Sequence, residues 1–331
     1  MGAGVREPAG SRRVAIPLAK PGVKLTDTLD IDQGAHLLYA GDNWSGGIDV
    51  FDVSAPDAHY LKTIPLRGRP RGIPSYYGIK VVPELQKLFV GVSGSVLAVI
   101  DIDPRSPTSD TVVARLDTGG RGAVDLIDYV PPLRKLYAAN RDDGIFVAVD
   151  AVRNEIVKSF DGLGPTLEQP RYNAGDGMVY LVSDGSNVLY QIDPVRDEVV
   201  RTMPISVPCN PHGLAIDPRS GVALLGCSRS ERPNTVIWDL EAQRVAADIT
   251  ECGCGDGAIY VESVERFLFA AHGFSAGPVL GIFGGRPVRL LANVRTDHGA
   301  SWVGYDETNR LAYMPTLVRG LPGLLSFLLP D

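Results

Sequence analysis

The stretch His36–Ser54, HLLYAGDNWSGGIDVFDVS, reads as strand, turn, strand, and Lys135–Ala151, KLYAANRDDGIFVAVDA, writes the same pattern again. Five further copies begin at Lys87, Met178, Val222, Arg266 and Arg310. Self-similarity at a fixed period marks a repeat architecture and decides the fold before any single strand is assigned. Within the copies, runs such as Ile48–Val53 and Val96–Asp101 set β-branched and apolar residues between Gly, Asp and Pro turns, as strands covered on both faces require. An outer strand follows six of them: Leu61–Leu66, Val112–Leu116, Ile156–Phe160, Val199–Ile205, Val245–Ile249 and Val288–Val294. With the inner strand that precedes each copy, the unit has four strands, the blade of a β-propeller.

The expected fold is therefore all-β, a seven-bladed β-propeller with four antiparallel strands per blade, forming a single domain over residues 1–331. The last copy reaches Asp331 before an outer strand can follow. Val14-Ala15-Ile16-Pro17-Leu18 matches Leu61–Leu66, so residues 12–19 are expected to complete the last blade and remove a free sheet edge.

Composition narrows the function classes. Hydrophobic content of 44% with 21% charge is that of a globular chain, and 37 Gly with 25 Pro supply the turns that many short strands need. A net charge of −7 gives no basic footprint for nucleic acid. No run approaches the roughly 18 apolar residues of a membrane span. The N-terminus, MGAGVREPAGSRRVAIPLAK, has arginines but no apolar run behind them, which points to a cytoplasmic protein. Removal of a signal peptide would leave a secreted or periplasmic location open. A monomer or weak dimer is expected.

The copies at Lys135 and Met178 in particular resemble the YVTN/YncE-like seven-bladed propellers, whose repeat runs LYV…S…V.VID..T..VV..I..G, and the resemblance covers nearly the whole chain. The WD and GH signatures of WD40 blades and the paired glycines of kelch blades are absent. Propellers host many unrelated functions, so activity has to be argued from a site.

In a propeller the inner strands line a central channel, and the loop before each inner strand shares one face with the turn after the second strand. Alignment of the copies sets Asp27, Tyr77, Asp125, His212, Asp256 and Ala300 at equivalent channel-mouth positions, with Gln169–Asn173 at that level in the fourth blade. The second set of loops brings Trp44, Arg141, Asp184 and His272 to the same face, with Phe274 beside them. His298 lies two residues before Ala300. Imidazole with carboxylate suits Zn, Mn or Fe, whereas carboxylates and carbonyls suit Ca or Mg. Asp27, His212, Asp256 and His298 are thus expected as metal ligands. His212, His298, Asp125 and Arg171 are expected as catalytic groups, and Tyr77, Trp44, Arg141, His272 and Phe274 as substrate-binding residues. A competing explanation for His212 is turn packing, since PHG before an inner strand is common in such blades.

The four cysteines crowd one sector: Cys209 and Cys227 flank the start of the fifth blade, and Cys252 and Cys254 precede the inner strand of the sixth. Structural thiols come first, ahead of disulfides and of thiolate ligands or a nucleophile beside His212. The function that follows is a small-molecule hydrolase or lyase working in the channel with a divalent metal, a role that similar-looking lactonase and lyase propellers imply. The alternative is a ligand- or protein-binding propeller of the YncE type without catalysis, anchored by Trp44, Tyr76, Tyr77 and Phe274. Copper redox chemistry in the Cys and His sector stands third.

Overall fold

The computed structural model describes residues 4–16, 28–42, 46–66, 76–229 and 231–330. Among the described residues the strands form seven sheets. Their inner strands are Leu29–Asp32, Tyr76–Val82, Val124–Val130, Leu167–Asn173, Pro211–Asp217, Ala258–Val261 and Gly304–Asp306. Each is followed by antiparallel neighbours in chain order, so every blade is a meander running from the channel outward. The outer strands, His59–Pro65 and Thr111–Asp117 among them, lie within two residues of the ranges expected from the repeat.

At the N-terminus, Arg12–Ala15 pairs antiparallel with Leu321–Leu328 of the last blade, Arg12 opposite Ser326 and Ala15 opposite Gly323. The sequence pattern did not suggest the strand before it: Val5–Arg6 runs parallel to Arg289–Arg295 and adds a fifth strand to the sixth sheet. Glu7 holds this strap through Arg295, 2.9 Å away.

The core lies between the blades. Seven apolar clusters fill the seven junctions; one joins Ile48 and Val50 of the first blade to Leu88 and Val90 of the second, and another joins Leu97 and Val99 to Leu136 and Val147. This explains why the middle strands read as unbroken apolar runs: both of their faces are covered, as in the fully buried Val96–Asp101 centre. Burial of each large side chain, Phe89 for example, contributes about 2–3 kcal/mol. Lysines at the start of second strands add polar links across the lower edge. Lys87 donates to the carbonyls of Ala151 and Val152 at 2.8 Å, and one blade on Lys135 donates to Pro194 O at 2.9 Å. Among the described residues no helix is long and apolar enough to cross a membrane.

Candidate functional site

The upper mouth of the channel gathers charged side chains from blades three to six. Asp125 stands on an inner strand, and Arg141 follows the second strand of the same blade. Glu168 is the second residue of the next inner strand, and Asp184 follows that blade's second strand. His212 is the second residue of Pro211–Asp217, and Asp256 precedes Ala258–Val261. His212 Nε2 lies 2.6 Å from Asp184 Oδ2 and 3.5 Å from Glu168 Oε1, while its Nδ1 is 3.8 Å from Asp256 Oδ1. Arg141 Nε donates to Glu168 Oε1 at 2.8 Å and lies 3.6 Å from Asp125 Oδ2.

Local sequence holds these groups in place. Asn210 takes a left-handed backbone, donates its amide to the carbonyl of Asp184 at 3.0 Å, and accepts from Arg229 at 3.1 Å. The loop carrying Asp184 is thereby tied to the approach to His212. A disulfide between Cys209 and Cys227 closes the same blade just ahead of His212. On the Asp256 side, Gly257 is required because a Cβ there would meet the Trp302 ring at 2.1 Å. That close packing fixes where Asp256 enters the mouth.

The electrostatics are lopsided: four carboxylates face one imidazole and one guanidinium. Burial alone would lower the His212 pKa, but its hydrogen bond with Asp184 and the nearby carboxylates of Asp256 and Glu168 overcome it and push it up to about 10. Burial drives Glu168 well above the usual carboxylate range, with the charges of Asp125 and Asp256 adding to it against the pull of His212 and Arg141. Asp184, despite burial, is lowered by its bond to His212. A protonated, oriented imidazole among acids can donate a proton or, on losing it, serve as a ligand. Glu168, Asp184 and His212 present ligand atoms that all lie within 4.8 Å of one another. Carboxylate oxygens with one imidazole nitrogen are the donor chemistry expected for Zn, Mn or Fe.

The expected residues divide into groups. His212, Asp256, Asp125 and Arg141 come together at this mouth. Arg171 does not join them: it lines a separate lower cavity, where it lies 3.9 Å from Asp128 and donates to the Ala258 carbonyl at 3.0 Å. The reason is strand direction, since three residues along an extended inner strand move a side chain about 10 Å down the channel. His298 is exposed in a turn and is not a member of the ligand-distance group. His272 is half-buried with Nδ1 unpartnered, and Phe274 packs against the apolar cluster between blades five and six, a packing role in place of the exposed anchor expected. Asp27 and Trp44 lie outside the described residues, and Tyr77 is described only as backbone of an inner strand.

The cysteine expectation is corrected. Cys209 and Cys227 are disulfide-bonded, which removes them as thiolate ligands, and Cys252 and Cys254 are free. Burial pushes the Cys254 thiol up, against the charge of His212, so it is a poor nucleophile. The alignment also missed two members of the site. Glu168 is the register equivalent of Asp125 and His212, since Leu167, Val124 and Pro211 stand opposite Ser183, Asn140 and Cys227 and each is followed by the same one-residue bulge; the level assigned from Gln169 onward begins one residue late. Asp184 was visible only as one polar loop residue among several.

Gln169, fully buried, forms part of the floor beneath the mouth. Its side chain donates to the Ala258 carbonyl at 2.8 Å and accepts from the backbone N–H of Leu214 and of Ala258 at 2.9 and 3.1 Å. It thus fastens blade four to blades five and six.

Among solved structures the chain is similar in fold to one chain of "Crystal Structure of Mitotic Checkpoint Complex", at 12% identity and TM-score 0.73 over 98% of this chain and 92% of that one. It is also similar to "Structure of U3-55K", at 10% identity and TM-score 0.72 over 97% and 100%. At such identities the likeness is one of architecture, and the class it defines together with the sheet order is the seven-bladed β-propeller. No family model and no curated protein matches the chain in sequence.

Proposed function

We propose that the upper mouth binds a divalent metal through Glu168, Asp184 and His212, with Asp256 flanking, and that the protein acts there on a small molecule as a hydrolase or lyase. The observation that carries this reading is His212 held between Asp184, Glu168 and Asp256 at 2.6 to 3.8 Å, in a group with more acids than cations. Such a group is stabilised by added positive charge. A bound metal would polarise a carbonyl or lower the pKa of a water. Arg141, whose side chain is 38% exposed, offers its remaining N–H groups to an anionic part of the substrate, and Asp125 beside it sets its direction. The proton that His212 holds at neutral pH competes with the metal, so loading should release protons.

The test is plasma mass spectrometry on protein reconstituted with Zn or Mn, alongside His212→Ala and Glu168→Gln. One metal per chain, lost in both variants, is the expected result. No metal after reconstitution would sink the proposal. The second reading is a propeller that binds a partner or ligand without catalysis, and one of the proteins sharing this architecture comes from a mitotic checkpoint complex.

A further inference from the structure

The strand register defines a second chemical level below Gln169. The inner-strand residues opposite Tyr39, Phe89, Tyr137 and Tyr180 are Asp30, Lys80, Asp128 and Arg171, so charge alternates around four consecutive blades. At the same level the remaining blades carry Ala215, Ile259 and Gly304. One half of the ring is charged and the other half is apolar. Apart from Ala215, which is buried behind it, this level faces a cavity of about 400 Å³, and no residue of the upper acidic group belongs to its lining. Ligand pockets of small molecules are of this size, mostly apolar with a few placed polar groups.

The carboxylates of this ring are already engaged. Asp30 accepts from the N–H of Ile31 and of Val81, both at 3.0 Å, and Asp128 accepts from the N–H of Tyr172 at 2.8 Å. Arg171 is turned to the carbonyls of Pro170 and Ala258. Lys80 differs, because its ammonium stands 3.6 Å from Asp30 and 3.5 Å from Asp128. Both distances exceed the roughly 2.8 Å of a direct charged hydrogen bond, which leaves the ammonium able to take a closer oxygen from the cavity. A dianion placed there would also face Asp30 and Asp128, so a singly charged group is preferred. The apolar half, with Trp302 and Ile216 beside it, suits a hydrocarbon or aromatic body; the lining also holds the exposed Glu262, paired with Arg219, and the exposed Glu307, which accepts from Ser263.

We propose that this lower cavity is a binding site for small organic carboxylates, with the acid on Lys80 and the apolar body against Ile259 and Trp302. The site is independent of the metal reading of the upper mouth. It is tested by calorimetric titration of the full chain with 3-phenylpropionate, its amide and 3-phenylpropylamine. Saturable binding of the acid, about tenfold weaker for the amide and amine, is expected. Lys80→Met should weaken the acid about tenfold, and Ile259→Phe, which fills the apolar side and leaves the lysine, should do the same. His212→Gln in the upper mouth should leave acid binding intact. The proposal is overturned by absence of saturation at tens of millimolar, by equal binding of the amide, or by loss of binding in His212→Gln with retention in Ile259→Phe. If Lys80→Met does not fold, the acid–amide comparison and Ile259→Phe decide the matter.

Discussion

The two ends of one channel solve the problem of buried charge in opposite ways. Below, Asp30, Lys80, Asp128 and Arg171 alternate in sign and neutralise one another from blade to blade. Above, Asp125, Glu168, Asp184 and Asp256 outnumber His212 and Arg141; the surrounding carboxylates raise the pKa of His212 against its burial, and burial, with Asp125 and Asp256 adding to it, raises that of Glu168. On the two inner strands that both groups share, Asp125 stands above Asp128 and Glu168 above Arg171, so the difference there does not come from the fold. It comes from which residue types occupy equivalent levels. A balanced ring stabilises its blades and leaves a lysine for a guest, whereas an unbalanced one invites a cation.

The upper end is also the braced end. Replacing both Cys209 and Cys227 by Ala should cost about 3 kcal/mol in urea unfolding, because the bridge closes a loop of sequence separation 18. Free-thiol titration of the denatured, unreduced protein should then find two thiols in the wild type; four would show that the brace is absent in solution. The division between the rings can be attacked next through Gln169→Ala. Stranding the N–H groups of Leu214 and Ala258 should cost about 2 kcal/mol, the Ala258 carbonyl keeping its bond from Arg171, and wild-type stability would show that Gln169 is no floor between them.

A pH series separates the ends more finely. His212 is raised from its ordinary value near 6.5 to about 10, so its stabilising contribution is complete below pH 6.5 and is lost as pH climbs toward 10. Unfolding free energy should therefore fall through that window, by at most about 1.4 kcal/mol per pH unit, and the fall should vanish in His212→Gln. An unchanged slope in the variant would refute the assignment. Glu168→Gln should have the smallest effect, within about 1 kcal/mol at pH 7, since burial already favours the uncharged form of this side chain. Asp184→Asn, which removes the carboxylate hydrogen-bonded to the imidazole, should lower the His212 pKa seen by NMR, whereas Asp128→Asn in the lower ring should leave that pKa alone.

The fold was legible because a propeller writes its geometry in every repeat. Strands buried on both faces must be apolar throughout, and turns must recur at each end, so Lys87–Asp101 or Met178–Asp193 could be delimited almost to the residue. The site was legible only at single positions. His212, Asp256, Asp125 and Arg141 were reached by counting along aligned copies, and counting missed Glu168, where the fourth copy was started one residue late, and misplaced Arg171, which points into the other chamber.

The amino-acid order alone determined seven blades of four strands, because periodicity and local propensity are properties of the chain. Tertiary structure alone decided which charges meet: Asp184 with His212 across 28 positions, Gln169 with Ala258 across 89, and Cys209 with Cys227 rather than with either neighbouring cysteine. Those pairings depend on the closing of a ring and on which loops neighbouring blades bring together. No periodic pattern along the chain records either.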